Sequence, residues 1–101
     1  MTPFQSECYE ALKKVPPGKV ISYAGLAEMI GKPKAPRAVG SAMNKNPFAP
    51  RVPCHRVVKS NGEIGGFADD INVKIKRLHK EGVEVLDNKI VNFKSILFSE
   101  S

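Results

Sequence analysis

Apolar side chains recur at helical spacing through the first fifteen residues. They follow the pattern i, i+4, i+7, i+8 and i+11 and form a single stripe: Phe4, Cys8, Ala11, Leu12 and Val15. Such a stripe predicts a helix with one face in the core. Thr2 can cap this helix, Pro3 suits its first position, and Gln5 completes a capping box. Because Cys8 lies on the stripe, we expect a small core residue there rather than a reactive thiol.

Two further helices are predicted on either side of a short turn. After the extended pair Val20-Ile21, Ser22 can cap a second helix and Gly31 can end it. Its apolar face consists of Tyr23, Leu26, Ala27 and Ile30. Pro36 can open a third helix that runs to about Lys45. Two short helices joined by a tight turn are typical of a helix-turn-helix.

The third predicted helix has two unlike faces. Its core face holds Val39, Ala42 and Met43, and its opposite face holds Arg37, Gly40, Ser41 and Asn44. The second face carries one guanidinium and otherwise small residues, whereas a merely soluble helix would more often carry Lys and Glu. Small residues allow close approach to a flat or grooved surface. DNA recognition and packing against a partner helix both remain open for this face.

The second half of the chain carries weaker signals. A proline-rich connector spans residues 46–53, and Asn61-Gly62 between Val57-Val58 and Ile64 predicts a small hairpin. Asp69 or Asp70 can cap a fourth helix that ends near Gly82 and buries one stripe, namely Ile71, Ile75 and Leu78. Residues 83–101 alternate loosely and predict a strand or an irregular, poorly defined tail.

These elements predict an α+β, mainly helical fold: a winged-helix-like helix-turn-helix domain with a small hairpin. A length of 101 residues allows one domain, spanning residues 1–101. No apolar run is long enough to span a membrane, and no signal peptide is visible. Two cysteines do not make a disulfide scaffold, so we expect a cytoplasmic protein, or a nuclear one in a eukaryote.

The charge distribution is one-sided. The net charge is +6, but residues 11–59 hold ten Lys or Arg and a single acid, while residues 60–101 hold six basic and seven acidic residues. A basic half beside a neutral half favours a surface for a polyanion such as nucleic acid. The alternative is a solvated face that keeps the protein soluble.

Cys54 is the best candidate for chemistry. It adjoins His55, follows Pro53 and lies between Arg51 and Arg56, and such cationic surroundings favour the reactive thiolate. Metal binding is disfavoured because the Cys and His residues lack the paired spacing of a zinc site: Cys8, Cys54, His55 and His79. Adjacency in sequence leaves open whether His55 points towards the thiol.

The motif Pro53-Cys54-His55-Arg56-Val57 resembles the active-site motif of the O6-alkylguanine-DNA alkyltransferases, which repair alkylated guanine by suicide chemistry. Further segments look like that family in order and spacing: Ile21-Ser22-Tyr23, residues 33–40, Ala42-Met43, Asn46-Pro47 and Glu81-Gly82. The resemblance covers about residues 3–83.

The resemblance implies specific roles in the site. The helix-turn-helix would enter the minor groove of duplex DNA, with Arg37 replacing the extruded base and Tyr23 helping to rotate the nucleotide out. Cys54 would attack the alkyl carbon, while His55, through water, and Glu81 would remove the thiol proton. Asn46 would order the turn that holds this group. The remaining DNA contacts are expected from Ala38, Gly40, Ser41, Asn44 and Arg56.

The chain also departs from the family pattern. Residues 67–70 are Phe-Ala-Asp-Asp where many members have Tyr-Ser-Gly-Gly, so one hydroxyl donor to the base is lost at Ala68. No segment of these 101 residues resembles the N-terminal domain of the two-domain members. Because the zinc ligands known in some members lie in that domain, no metal or other cofactor is implied.

We therefore expect a monomer that binds double-stranded DNA containing O6-alkylguanine and moves the alkyl group irreversibly to Cys54. The first alternative is an alkyltransferase-like protein that binds the lesion without transfer, although such relatives typically lack the cysteine. A plain winged-helix module with an incidental or redox-sensing Cys54 would leave Glu81 unexplained. A Cys-His hydrolase is less consistent still, because no oxyanion hole is recognisable.

Overall fold

A computed structural model describes residues 2–48, 51–65 and 71–98 of the chain. Over this part there are five α-helices, a 3₁₀ turn and two two-stranded sheets. Their bounds are α1 Pro3–Leu12, β1 Ile21–Ser22, α2 Tyr23–Met29, α3 Pro36–Asn44, the 3₁₀ turn Cys54–Arg56, β2 Val57–Val58, α4 Ile71–Lys80, β3 Val85–Leu86, β4 Lys89–Ile90 and α5 Phe93–Ile96. None of these helices is both long enough and apolar enough to cross a membrane. The predicted caps Asp69 and Asp70 lie outside the described residues.

The helix starts predicted for the first half are confirmed. Thr2 and Gln5 form the capping box of α1, and Ser22 caps α2 by accepting from the Gly25 amide at 2.9 Å. Gly31 follows α2 with a φ of +74°, which suits glycine. The helices α2 and α3 pack against each other across residues 30–35 and form the predicted helix-turn-helix.

A narrow sheet separates two apolar clusters. Strand β1 pairs in parallel with β2, with Ile21 opposite Val57 and Ser22 opposite Val58. Because successive strand residues face opposite sides, Ile21 and Val57 lie in a cluster with α1, α2 and α3, while Val20 and Val58 lie in a second cluster. The Cys54–Arg56 turn leads directly into β2 and is fixed at this boundary.

The hairpin lies elsewhere than the sequence predicts. Asn61-Gly62 forms a tight turn closed by a 2.8 Å bond from the Lys59 amide to the Glu63 carbonyl, but β2 pairs with β1. The regular hairpin is β3–β4, whose loop residues Asp87 and Asn88 have φ values of 51° and 61°. Two consecutive residues with positive φ fit the twist of a two-residue hairpin, and Asp and Asn tolerate this conformation.

Residues 83–98, predicted only as a strand or irregular tail, complete the second cluster. Val83 and Ile90 are buried there, and Phe93 and Ile96 pack against it. The Val20 amide donates to the Ile96 carbonyl at 3.0 Å. The Val20 carbonyl accepts from the Phe98 amide at 2.7 Å. The end of the described chain thus forms an isolated parallel bridge between Leu97 and Val20, directly before β1.

Helix α4 corrects the predicted buried stripe. Leu78 is fully buried and Ile75 partly so, but Ile71 is 38% exposed. The fully buried residue on the same face is Lys74. Lys74 is absent from the predicted stripe, because lysine is almost never fully buried.

Candidate active site and nucleic-acid interface

Cys54 lies in a tightly constrained turn. Its amide donates to the Val52 carbonyl at 2.8 Å across Pro53, whose φ of −82° and ψ of 67° define an inverse γ-turn. Proline favours this geometry because its ring restricts φ. Cys54 is 3% exposed and belongs to the first apolar cluster, and both cysteines of the chain are free.

Asn46 connects the end of α3 to this turn. Its Nδ2 donates to the Val52 carbonyl at 2.8 Å, and its Oδ1 accepts from the Phe48 amide at 2.9 Å. The Val52 carbonyl therefore accepts from both Asn46 and Cys54. The side chain of Asn46 fixes the backbone immediately before Cys54.

His55, Arg56 and Glu81 form one ion-pair cluster. His55 Nε2 lies 2.9 Å from Glu81 Oε2, and Arg56 Nε donates to Glu81 Oε1 at 2.9 Å. Arg56 Nη2 donates to the same Oε2 that faces His55, and Nη1 donates to the Val15 carbonyl at 2.8 Å. Glu81 lies just beyond the end of α4, so a contact across 25 residues of sequence joins α4 to the Cys54 turn.

The contacts within this ion-pair cluster shift the pKa values of Glu81 and His55. Burial opposes the charge of Glu81, but the hydrogen bonds from Arg56 and His55 outweigh it and lower the pKa of the carboxyl. Burial lowers the pKa of His55 despite the neighbouring Glu81, with Arg56 and Arg77 adding positive charge nearby. At neutral pH we therefore expect an ionised Glu81 beside a neutral imidazole.

This arrangement selects one tautomer of His55. A neutral imidazole facing a carboxylate carries its proton on the facing nitrogen, here Nε2. Nδ1 is then the unprotonated nitrogen; it is buried and has no hydrogen-bond partner in the described part of the protein. Nδ1 is thus the atom of His55 that can accept a proton.

Tyr23, the first residue of α2, connects the helix-turn-helix to the segment after β2. A Cβ on Gly40 of α3 would lie 3.8 Å from the Tyr23 ring, and one on Gly65 would lie 3.4 Å from its hydroxyl. Burial raises the pKa of Tyr23, and a charge on Cys54 would raise it further. The phenol therefore keeps its proton at neutral pH and can donate a hydrogen bond near Cys54.

The outer face of α3 is open to solvent. Arg37, Ala38, Ser41 and Asn44 are exposed, and Gly40 is half-buried against Tyr23. Val39, Ala42 and Met43 are buried as predicted. The helix carries no acidic residue, and exposed Lys34 and Lys45 lie just outside its two ends. This face has the shape and charge to approach a polyanion.

Arg56, predicted from the sequence as a DNA contact, binds acceptors of its own chain in the structure. The sequence predicts a DNA contact, but its side chain is 13% exposed and its guanidinium is bound to Glu81 and Val15. An arginine held in this way faces the protein interior. The Arg56 guanidinium thus belongs to the Glu81 cluster, and its contact with DNA stays a prediction.

Lys74 is a site residue that sequence reasoning missed. It is fully buried, and its Nζ donates to the Val57 carbonyl at 2.7 Å and to the Ile64 carbonyl. Burial lowers its pKa to about 8, and a charge on Cys54 would raise it. Its position between Ile71, Ile75 and Leu78 at helical spacing was the available signal.

Among the described residues, no group of three or more His, Cys, Asp or Glu is arranged to hold a metal ion.

Comparisons with known proteins place this chain in a family. The family model described as 6-O-methylguanine DNA methyltransferase, DNA binding domain, matches residues 3–83. A methylated-DNA–protein-cysteine methyltransferase of Methanosarcina acetivorans is 47% identical over 81 residues, which cover 80% of this chain and 52% of that protein. The chain therefore spans about half the length of this relative.

Two solved structures show the same fold in proteins bound to DNA. Mycobacterium tuberculosis OGT in complex with DNA superposes with a TM-score of 0.78 at 43% identity, covering 80% of this chain and 50% of that one. Schizosaccharomyces pombe Atl1, in complex with damaged DNA containing O6-carboxymethylguanine, gives a TM-score of 0.83 at 30% identity and covers 99% of this chain and 98% of that one. The match to OGT covers half of the OGT chain, whereas the match to Atl1 covers almost all of both chains.

Proposed function

This chain belongs to the 6-O-methylguanine DNA methyltransferase DNA-binding-domain family, and from that premise we propose that it repairs duplex DNA by moving the alkyl group of O6-alkylguanine to Cys54. The observation that carries the proposal is the His55–Glu81 pair beside Cys54 in the chain. Cys54 and His55 are buried, and the partly buried Glu81 carboxylate lies 2.9 Å from the His55 imidazole. Such an arrangement is how a thiol is activated as a nucleophile.

The proposed step is a displacement at carbon. His55 Nδ1 takes the Cys54 proton through a water molecule, and Glu81 stabilises the imidazolium that forms. The thiolate forms a bond to the alkyl carbon while the bond from that carbon to O6 breaks. The electron pair leaves on O6, and the guanine gains one proton overall. Tyr23, which keeps its own proton, donates a hydrogen bond to the base.

DNA binding is proposed for the exposed face of α3. Its small side chains, Ala38, Gly40, Ser41 and Asn44, allow the backbone to approach a groove, and Arg37 would fill the gap left by the flipped nucleotide. Flipping is required because the alkyl group cannot meet a buried thiol while the base stays stacked. We expect one protein monomer for each lesion.

Lesion binding without transfer is the second candidate. The likeness to Atl1 over nearly the whole of both chains favours it. Cys54 with its His55–Glu81 pair favours transfer, because a protein that only binds the lesion has no use for an activated thiol.

Intact-mass spectrometry separates the two candidates. After mixing with a duplex containing O6-methylguanine, we expect one added methyl group on each protein molecule, located on Cys54. The Cys8→Ser variant should still be methylated, because Cys8 is fully buried in the α1 stripe. The Cys54→Ser variant should bind the lesion but gain no mass. Tight lesion binding with no mass gain by the unaltered protein would support the second candidate instead.

Turnover is the second readout of the same experiment. A thioether is a poor leaving group, so each molecule should act once. Repair of more than one lesion per protein molecule would exclude suicide chemistry.

A further inference from the structure

The guanidinium of Arg56 is bound entirely by acceptors of its own chain among the described residues. Nε and Nη2 form a fork on the Glu81 carboxylate, and Nη1 reaches the Val15 carbonyl just beyond α1. Two parallel bonds to one carboxylate define its plane as well as its position. The fork therefore restrains Glu81 in three dimensions from the turn that carries Cys54.

Glu81 Oε2 serves two donors at once. It accepts from Arg56 Nη2 and lies 2.9 Å from His55 Nε2. Without the fork, the carboxylate would be free to rotate about its own bonds, and the Nε2 proton of His55 would lose a defined partner. The tautomer with an unprotonated Nδ1 would then no longer be favoured over the other.

We propose that Arg56 is a positioning residue for the alkyl transfer: it holds the Glu81 carboxylate against His55 and thereby keeps Nδ1 as the proton acceptor for Cys54. The effect of Arg56 on alkyl transfer rests on the proposed function. Its effect on the position of the His55 proton does not, and can be measured without any transfer. The charged and titratable groups that act on His55 are Glu81, Arg56 and, from α4, Arg77.

Nitrogen NMR of ¹⁵N-histidine-labelled protein shows which ring nitrogen of His55 carries the proton. The chain holds two histidines, and exposed His79 supplies the reference signal. In the unaltered protein we expect His55 to carry its neutral proton on Nε2. In Arg56→Gln we expect a mixture of both tautomers and a His55 midpoint shifted upward by about one pH unit, since one nearby positive charge is lost. An unchanged tautomer and midpoint would overturn the proposal.

The consequence for transfer is tested by alkylation of Cys54 with iodoacetamide across pH. In Arg56→Gln, the pH at which the alkylation rate falls on the acid side should rise by the same amount as the His55 midpoint. Arg56→Lys, which keeps the charge but loses the fork, should show the mixed tautomers with a smaller shift. Lys94→Gln removes one positive charge from an exposed position in α5 and should leave the pH profile in place.

Two results would contradict the proposal by different routes. If Arg56→Gln weakens duplex DNA binding and its salt dependence while the profile stays in place, Arg56 is a phosphate contact. If Arg56→Gln and Arg56→Lys lose rate equally with no pH shift, Arg56 is only part of the scaffold. Since Arg56→Lys keeps the ion pair, it supports the NMR test even where Arg56→Gln fails to fold. If the methyl transfer itself is absent, the proposed function fails but the NMR result still decides the role of Arg56.

Discussion

Glu81 is the residue on which the candidate site depends. It receives the Arg56 fork and faces His55, and its side chain is 15% exposed. Hydrogen bonds hold its pKa below the ordinary value against the effect of burial. Removing its charge while keeping its shape therefore tests the relay from Cys54 to His55 directly.

Glu81→Gln should slow methyl transfer by about 10²-fold, because the imidazolium loses the anion that stabilises it. Single-turnover rates with a methylated duplex give the measurement. Duplex affinity should stay unchanged, since Glu81 binds His55 and Arg56 and lies outside helix α3. The exposed Glu84 supplies the control variant Glu84→Gln, which should transfer at the normal rate. Unaltered iodoacetamide reactivity of Cys54 in Glu81→Gln would show that the proton does not pass through His55.

At the scale of elements, two side chains join the exposed face of α3, where DNA binding is proposed, to the Cys54 turn. Tyr23 at the start of α2 lies against Gly40 of α3 and Gly65 after β2. Asn46, just past α3, binds the Val52 carbonyl of the turn before Cys54. The proposed DNA-binding helix α3 is thereby connected to the turn before Cys54 by short, defined contacts.

Arg37→Ala tests the role of α3. We expect a cost of about 1–2 kcal/mol in the repair of duplex DNA, or roughly tenfold in rate, because the gap left by the flipped base is no longer filled. Reaction with a free O6-alkylguanine base should change much less, since a free base leaves no gap. Competition between the two substrates gives the measurement, and Lys94→Ala in α5 provides the control for loss of one exposed charge. Equal losses with both substrates would place Arg37 outside the flipping step.

At the scale of the whole molecule, Lys74 joins the two halves of the fold. From α4 it donates to Val57 in β2 and to Ile64, whose amide binds the Asn88 carbonyl of the β3–β4 hairpin. The second apolar cluster surrounds this region and includes Val58, Ile64 and Leu78. A buried ammonium at such a junction makes the stability of the fold depend on pH.

The sign of this dependence follows from the lowered pKa of Lys74. Its pKa is about 8 in the folded protein and about 10.5 in an unfolded chain, so the unfolded state binds more protons between these values. The free energy of unfolding should therefore rise with pH across this window, by about 3 kcal/mol on account of Lys74. Below pH 8 the charged form carries its full burial cost.

Urea denaturation of the protein and of Lys74→Met from pH 7 to 10.5 measures this contribution. The difference between the two free energies should grow with pH in favour of the lysine. Lys76→Met, at an exposed position of the same helix, is the control and should follow the unaltered protein. Parallel curves for the protein and Lys74→Met would mean that the ammonium remains hydrated in the folded state.

The sequence by itself determined the features that depend on neighbouring residues. Caps and apolar stripes lie within one or two helical turns, so Thr2, Ser22 and Pro36 sufficed to predict the first three helices. The motif around Cys54 and its family resemblance pointed to the family. The choice of Cys54 over Cys8 followed from the stripe of α1, where Cys8 is buried.

Only the tertiary structure decided which distant groups meet. Arg56 adjoins the candidate thiol in sequence and looked like a DNA contact, but the guanidinium binds Glu81, 25 residues away. Lys74 can be buried because its ammonium donates hydrogen bonds to the carbonyls of Val57 in β2 and of Ile64, and neither acceptor can be predicted from the spacing of α4. Strand β1 pairs with β2 across 36 positions, which displaced the predicted hairpin. Local patterns specify helices because their hydrogen bonds are local, whereas the partner of a long charged side chain is fixed only when the chain has packed.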